Sequence, residues 1–272
     1  MKITFIGGGN MATALIAGLA GKLTAGANIH VVDPNAEQLA RLAADYGVTT
    51  AEHIGLEAGA SDVIVLAVKP QQMREVAAAL LPQLTGAKPL LVSIAAGIRG
   101  ADLARWLKGY GAIVRTMPNM PALIGQGITG MVAMEGVSNA QKAAADAIMQ
   151  AVGATVWLDD EALIDPVTAV SGSGPAYVFY FIEAMQQAAE ELGLSNEQGK
   201  QLALATFTGA AQLAARSPDE VAVLRERVTS KGGTTYAALT SMEQSGVKRA
   251  IVEAIKAASQ RGRELGEQMG AD

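Results

Sequence analysis

The sequence predicts an α/β protein with a doubly wound, mostly parallel sheet, followed by an all-α C-terminal domain. Up to about residue 159, short continuous apolar runs alternate with helical patterns, which is typical of strands buried in a parallel sheet. From residue 160 onward the strand-like runs stop, and alanine-rich segments with a 3.6-residue apolar period follow. The first apolar run also breaks on three glycines and leads directly into a helix. We therefore expect two domains, 1–159 and 160–272.

The composition excludes several classes of function. The net charge is −5 with no block of Lys or Arg, which argues against a nucleic acid or a membrane surface as the partner. The chain has no cysteine, so disulfides and thiol chemistry are excluded, and neither of its two histidines, His30 and His53, has a companion at metal-ligand spacing. We therefore expect no metal and a small-molecule partner.

The N-terminus superficially resembles a secretory signal, because Met-Lys precedes an apolar stretch. Three glycines interrupt that stretch, and a strand, turn and helix explain it better. No run approaches the roughly 18 apolar residues of a membrane-spanning helix. We therefore expect a cytoplasmic protein.

In the first domain, apolar runs between polar or glycine-rich ends predict the strands, and amphipathic segments predict the helices. The predicted strands are 3–6, a run that ends at 31–33, 48–51, 62–68, 90–94, 112–115, 128–133 and 155–158. The predicted helices follow the glycine turn and then cover 35–46, 72–81, 101–107 and 140–153. This alternation indicates helices on both faces of the sheet, with ligands bound where the strands end.

In the second domain, capping signals mark the helix starts. Gly174-Pro175 opens a helix that ends near Gly193, and Ser195 with Gln198 predicts a capping box for the next helix, which fades near Ser217. Residues 217–220, Ser-Pro-Asp-Glu, predict a second capping box. We expect Thr234 to cap a further helix, and residues 247–269 to form the last one.

The first turn has the spacing Gly-x-Gly-x-x-Ala, which makes it a Rossmann-type candidate for dinucleotide binding. Gly7 permits a tight turn, Gly9 lets the backbone approach a pyrophosphate, and Ala12 allows the helix to pack close to the strand. Free N–H groups at the start of the helix attract phosphate. Taken alone the motif is weak, since glycine-rich strand ends are common.

Asp33 strengthens that interpretation, because it ends the second apolar run 24 residues after Gly9. An acid near this distance binds the ribose hydroxyls of NADH and repels the 2′-phosphate of NADPH. Pro34 and Asn35 follow without an adjacent cation, so we expect NADH to be used appreciably. The alternative is that Asp33 merely caps the next helix.

Three further segments follow predicted strands and are candidates for one crevice: Lys69-Pro70, Ala95-Ala96-Gly97 and Met117-Pro118-Asn119. A polar, glycine-rich segment at 228–235 leads into a helix in the second domain, where hydroxyls and free N–H groups would suit a carboxylate. Its alternative is an ordinary connection between helices. Residues 171–175, Ser-Gly-Ser-Gly-Pro, are either a close-packed corner, which we favour, or a wall of the substrate pocket.

Five motifs together closely resemble pyrroline-5-carboxylate reductases, in the same order and across nearly the whole chain. They are Gly7-Gly8-Gly9-Asn10-Met11, Val68-Lys69-Pro70-Gln71, Arg115-Thr116-Met117-Pro118-Asn119, Ser171-Gly172-Ser173-Gly174-Pro175-Ala176-Tyr177 and Thr229-Ser230-Lys231-Gly232-Gly233-Thr234-Thr235. The resemblance implies reduction of the cyclic imine 1-pyrroline-5-carboxylate to L-proline with NADPH or NADH, the last step of proline biosynthesis. It also implies a homodimer built from interleaved C-terminal helices, or a larger ring of dimers.

The resemblance also implies roles for individual residues. For the cofactor it implies Gly7, Gly8, Gly9, Asn10 and Met11 at the pyrophosphate, Lys69 and Pro70 beside the cofactor, Ala96 near the nicotinamide, and Asn119 as a further motif position. For the substrate it implies Ser230, Gly233, Thr234 and Thr235, with Thr235 bonding the imine nitrogen as the catalytic residue. A cyclic imine is basic enough to arrive protonated, so Thr235 would orient it while binding supplies much of the rate.

Two other functions remain open from the sequence. A hydroxyacid dehydrogenase of similar build needs a general base, which in related enzymes is usually a lysine on the first helix of the second domain. Residues 177–191 contain no lysine, which favours imine reduction. A non-catalytic NAD(P)-binding sensor is the second alternative, but it would not need the loop at 232–235.

Overall fold

A computed structural model describes residues 1–84, 86 and 88–271. Its eight strands are β1 Ile3–Ile6, β2 Ile29–Val32, β3 Thr49–Ala51, β4 Val63–Leu66, β5 Leu90–Ser93, β6 Ile113–Met117, β7 Gly127–Ala133 and β8 Gly153–Trp157. They form one sheet in the order β3-β2-β1-β4-β5-β6-β7-β8. Every neighbouring pair is parallel except β6 and β7, which are antiparallel. The predicted doubly wound, mostly parallel sheet is therefore confirmed.

The described helices follow the predicted alternation and then fill the C-terminal part of the chain. They are α1 Asn10–Leu19, α2 Ala36–Tyr46, α3 Leu56–Gly59, α4 Met73–Leu80, α5 Gly100–Trp106, α6 Asn139–Gln150, α7 Ile164–Val167, α8 Gly174–Glu191, α9 Asn196–Arg216, α10 Val221–Arg227, α11 Thr234–Gln244 and α12 Val247–Gly270. The all-α C-terminal region is thus also confirmed. None of these helices is long and apolar enough to span a membrane.

The central strands bury both faces, which explains their continuous apolar sequences. Successive side chains of a strand point to opposite faces. Phe5 and Val65 therefore enter one hydrophobic cluster with α1, α2 and α6, whereas Ile6 and Leu66 enter a second cluster with α4 and α5. Each fully buried side chain of this size contributes about 1.5–3 kcal/mol. Burial on both faces holds the strand ends of the sheet in place.

Two predicted helix boundaries in the first part of the chain can be compared with the structure. Helix α2 begins after Asn35, whose side chain accepts a hydrogen bond from the Gln38 N–H, and ends at Gly47 with φ 65°. The predicted helix 140–153 extends too far, because α6 ends at Gln150 and Gly153 is already the first residue of β8. A Cβ at Gly153 would stand 1.9 Å from the Gly127 carbonyl oxygen, so close strand pairing requires glycine there.

Of the three caps predicted in the C-terminal region, one is confirmed. Ser195 and Gln198 form the predicted reciprocal capping box. The box at 217–220 is wrong, since α10 begins at Val221 and both oxygens of Asp219 instead accept hydrogen bonds from Arg227. Thr234 is not a cap but the first residue of α11, whose N-cap is Gly233.

Contacts divide the chain into two compact units. Residues 1–173 and 258–272 form the first, and residues 174–257 form the second. Segment 161–173 therefore packs with the sheet, as does the end of α12, although the sequence places both in the helical region. The assignment of functional domains to 1–159 and 160–272 stays a prediction.

Candidate functional site

The glycine turn after β1 lies at the carboxyl edge of the sheet, where the ends of β1, β2 and β4 meet. Gly7 donates its N–H to the Val32 carbonyl at 2.8 Å, and Ala67 donates to the Ile6 carbonyl at 2.8 Å. Gly7 has φ 101°, and a Cβ there would stand 2.5 Å from the Ala67 carbonyl oxygen. Both the conformation and the space therefore require glycine.

Gly9 and the start of α1 form a cradle suited to a phosphate group. Gly9 is the N-cap of α1 and provides no side-chain cap, so the first N–H groups of the helix point outward without a partner from a cap. Among the described residues other than Gly9 and its two chain neighbours, no atom lies within 4 Å of the position that a Cβ at Gly9 would take. Ala12 behind it is 1% exposed and packs in the core. These features fit the pyrophosphate of a dinucleotide, as the spacing predicts.

Asp33 points into the glycine turn. Its Oδ2 accepts a hydrogen bond from the Gly8 N–H at 2.7 Å, and its Oδ1 accepts one from the Asn35 N–H at 2.8 Å. Because Asn35 caps α2, the structure does not support the alternative that Asp33 serves only as a cap. Gln38, which the sequence analysis missed, donates to the Gly8 carbonyl at 2.7 Å. Asp33 and Gln38 thus fix both polar groups of the Gly8 backbone.

A cavity of about 530 Å³ lies along this edge. Four of the predicted cofactor residues line it, namely Gly7, Gly9, Asp33 and Lys69. It is also lined by residues that the sequence analysis did not assign, including Pro34, Glu52, His53, Ile54, Gln72 and Glu75. Glu52 and His53 directly follow β3, so the rule that ligands bind beyond strand ends could have found them. The volume is in the range of pockets that bind small molecules and cofactors.

The other predicted cofactor residues flank this cavity or lie further along the edge. Asn10 and Met11 are the first residues of α1, and Pro70 begins a 3₁₀ turn after β4. Ala96 is exposed just beyond β5. Ala96 and Asn119 are not among the residues that line the cavity, and their contact with the cofactor stays a prediction.

Asn119 connects three segments of the first unit. Its Oδ1 accepts a hydrogen bond from the Ile128 N–H at 3.0 Å, and its Nδ2 donates to the Ser171 carbonyl at 3.2 Å. Residues Thr168–Gly172 form a π-helical turn, which the sequence analysis missed. A Cβ at Gly172 would stand 2.7 Å from Met117 Cε, which supports the interpretation of this segment as a close-packed corner.

The second unit contains the predicted substrate loop. Gly233 donates its N–H to the Ser230 carbonyl at 3.0 Å, and Gly232 has φ 73°, so the loop turns sharply before α11. Thr234 and Thr235 are the first two residues of that 11-residue helix, and Gly233 supplies no side-chain cap. The loop therefore brings hydroxyl groups together with helix-start N–H groups, an arrangement that binds anions such as a carboxylate.

The fold and the two candidate sites are those expected of an NAD(P)H-dependent oxidoreductase. Among the described residues, no group of three or more carboxylate and histidine side chains is arranged to hold a metal. A family model described as pyrroline-5-carboxylate reductase dimerisation matches residues 161–265, and one described as NADP oxidoreductase coenzyme F420-dependent matches residues 2–97.

Comparison with whole proteins gives the family. The chain is 49% identical to pyrroline-5-carboxylate reductase of Pseudomonas aeruginosa, over 99% of this chain and 98% of that protein. The structure of the Coxiella burnetii reductase matches with a TM-score of 0.92 and 40% identity, covering 97% of this chain and 98% of that one. The Plasmodium falciparum reductase with NADP bound matches with a TM-score of 0.86 and 30% identity, covering 98% of each chain. The chain belongs to the pyrroline-5-carboxylate reductase family.

Family membership decides between the functions left open by the sequence. A hydroxyacid dehydrogenase and a non-catalytic sensor are not favoured, because relatives matched over 97–98% of their length are named as pyrroline-5-carboxylate reductases. The match of residues 161–265 to a dimerisation model also supports a homo-oligomer.

Proposed function

We propose that the chain reduces the C=N bond of 1-pyrroline-5-carboxylate to give L-proline, the last step of proline biosynthesis. The observation that carries this proposal is the start of α11, where the hydroxyls of Thr234 and Thr235 adjoin uncapped N–H groups. A protein that only bound NAD(P)H would not need such a site, whereas an imino acid has a carboxylate that it can hold.

The first unit holds the cofactor, which supplies the hydride when bound. Gly7, Gly8, Gly9, Asn10 and Met11 hold the pyrophosphate, while Asp33 binds the adenosine ribose. Lys69 and Pro70 lie beside the cofactor, Ala96 lies near its nicotinamide, and Asn119 is a further cofactor-binding residue. The fixed geometry of Gly8, bonded by Asp33 and Gln38, supports this role because a rigid turn loses little entropy on binding.

The second unit holds the imino acid. Ser230, Gly233 and Thr234 bind the carboxylate, which determines the carbon and the face that receive hydride. Thr235 is the catalytic residue, and its hydroxyl bonds the imine nitrogen. Because the substrate arrives protonated at nitrogen, Thr235 orients a cation and needs no general acid of its own. Much of the rate then comes from holding the two reactants in register.

Asp33 allows the protein to use NADH appreciably. Its Oδ2 is directed into the turn by the Gly8 N–H, so the carboxylate stays in place and repels a 2′-phosphate. Neither Pro34 nor Asn35, which follow it, supplies a compensating cation.

The functional protein is a homodimer or a larger ring of dimers that works in the cytoplasm without nucleic acid or membrane partners. The dimerisation match at 161–265 and the net charge of −5 support this assignment.

The experiment is absorbance-monitored oxidation of NADPH and of NADH by the purified protein with 1-pyrroline-5-carboxylate, and with a 2-keto acid as control. Oxidation with the imine alone is the expected result, with appreciable NADH activity. Oxidation only with the keto acid would replace this proposal with a hydroxyacid dehydrogenase. Cofactor binding without turnover of either substrate would instead indicate a non-catalytic NAD(P)-binding sensor.

A further inference from the structure

The loop of residues 95–100, which runs from beyond β5 to the first residue of α5, is held by parts of the chain that are distant in sequence. It carries Ala96, which the proposed function places at the nicotinamide. At its end, the Gly100 N–H donates to Glu161 Oε1 at 2.6 Å. Gly100 is the first residue of α5, and the N-cap Arg99 makes no side-chain capping bond. Glu161 therefore acts as the cap for a helix that starts 61 residues earlier.

Arg115 fixes the position of that carboxylate. Its Nη1 donates to Glu161 Oε1 at 2.9 Å, and its side chain is 4% exposed. A charge buried this deeply requires a partner, so Glu161 is held at one place rather than free to rotate. The same oxygen thus accepts from a buried strand residue and from the first N–H of α5.

The end of α12 encloses the loop as well. A Cβ at Gly97 would stand 3.8 Å from Leu265 Cβ, and one at Gly266 would stand 3.2 Å from Arg99 Nε. Gly97 has φ 74°, so the backbone after Ala96 takes a conformation that glycine adopts without strain. These close approaches place the end of α12 beside Gly97 and Arg99.

We infer that Glu161 is a positioning residue for the reaction: its carboxylate, fixed by Arg115, holds the loop of residues 95–100 at the distance that hydride transfer requires. This inference rests on the proposed function. It explains why Glu161, which the sequence analysis places in the helical domain, bonds the first residue of α5. Glu161 touches no reacting atom in this role, since it acts through the Gly100 backbone.

Removing Glu161 alone would leave Arg115 buried without a partner and endanger folding. Two double variants avoid this difficulty. Arg115→Met with Glu161→Gln keeps a carbonyl acceptor for the Gly100 N–H, whereas Arg115→Met with Glu161→Met removes it. Neither double variant leaves a buried charge without a partner. The two variants, Met/Gln and Met/Met, therefore differ chiefly in the hydrogen bond from the Gly100 N–H. Circular dichroism and thermal melting serve to check that both variants are folded.

The first readout is hydrogen exchange of the peptide covering residues 94–101 in the cofactor-free protein, which does not depend on catalysis. We expect the Gly100 amide to exchange about tenfold faster in the Met/Met variant than in the Met/Gln variant. The second readout is kinetic. The Met/Met variant should lose about tenfold in kcat relative to Met/Gln, with the KM for the imine unchanged.

Equal exchange in the two variants would overturn the inference, and so would faster exchange with identical kcat. The wild-type protein is assayed in parallel, because its failure to reduce the imine would instead overturn the proposed function. In that case, the hydrogen-exchange rates of the two variants would still show whether Glu161 holds the loop. Ser61→Ala, which removes one hydroxyl of the buried Thr4–Ser61 pair near the amino ends of β1 and β4, controls for a general loss of stability.

Discussion

The two compact units differ in how completely a single chain buries their apolar residues. In the first unit, Phe5, Leu15 and Ile64 are all 0% exposed. In the second unit, whose residues 174–257 are all described, the buried hydrophobic residues are only Ile182 and Ala203. Tyr180 there is 73% exposed and Leu192 is 83% exposed. The first unit therefore buries a large core within a single chain, whereas the second has the apolar surface of a part that folds against another copy.

This difference also separates the two candidate sites. The cofactor turn is fixed by hydrogen bonds within one unit, such as the Asp33 bond to Gly8. The substrate loop belongs to the unit whose helices leave apolar faces uncovered. We therefore expect damage to the oligomer to affect imine reduction more than cofactor binding.

The largest expected effect comes from a charge on the exposed face of α8. Phe179 is 52% exposed there, and Phe179→Glu would bury a charge if a second copy covers this surface. We expect assembly to weaken by about 30- to 1,000-fold, the range for residues central to an interface. Sedimentation velocity should show a fall in mass, and imine reduction should be lost.

Leu56→Glu is the matched control for this experiment, because Leu56 is an apolar residue of the first unit that is 81% exposed. It should keep the wild-type mass and activity. An unchanged mass for Phe179→Glu would mean that exposure does not mark the interface, and the contrast between the units would lose its functional meaning.

The next largest expected effect comes from removing the proposed catalytic hydroxyl of Thr235 in the second unit. We expect Thr235→Ala to lower kcat by about 10- to 100-fold, because a hydroxyl that bonds a cationic nitrogen is lost, while the Kd for NADH is unchanged. The control is Thr240→Ala on the same helix, whose hydroxyl bonds the Tyr236 carbonyl at 2.8 Å. Unchanged kinetics for Thr235→Ala would remove this residue from the mechanism.

A smaller effect tests the cofactor unit. We expect Asp33→Ala to weaken the binding of NADH by about tenfold and the binding of NADPH by less, because the carboxylate binds ribose hydroxyls but repels the 2′-phosphate. Asp33→Asn separates the two roles of the side chain, since it keeps an acceptor for the Gly8 N–H and loses the charge. Equal losses with both cofactors in Asp33→Ala would make Asp33 a structural residue of the turn.

The sequence predicted the sheet well because a strand buried on both faces must be apolar throughout. The predicted strand 62–68 contains β4, Val63–Leu66, and the glycine turn was found because Gly7 at φ 101° allows no other residue. Helix ends were less accurate, as at Gly153, where pairing with β7 overrides the helical pattern.

Contacts between distant residues could not be predicted in this way. Periodicity shows which face of a helix is apolar, but not which segment covers it. The bond from Gly100 to Glu161 and the packing of Gly97 against Leu265 join residues far apart in the chain, and no local pattern marks either. Gln38 was missed for the same reason, since its bond to the Gly8 carbonyl depends on how α2 packs.

The smallest effect concerns the stability of the first unit. The Nδ1 of His30 pairs with Thr49 Oγ1 at 2.9 Å, and Nε2 is buried without a hydrogen-bond partner among the described residues. Burial lowers the pKa of His30 below 6.5, an effect that Glu57 partly offsets. The unfolded chain therefore binds this proton at a higher pH than the folded one, so stability should fall as pH drops from about 6.5 and level off below the folded pKa.

His30→Gln should flatten this part of the pH profile, since it keeps a polar group and removes the titration. The measurement is the urea midpoint from about pH 5 to about pH 7.5 at one protein concentration, because assembly also contributes to stability. If the urea midpoint falls equally with pH in the wild-type protein and in His30→Gln, the pH dependence belongs to other groups. A slope that disappears in His30→Gln would show that this half-buried histidine of the sheet unit limits stability in acid.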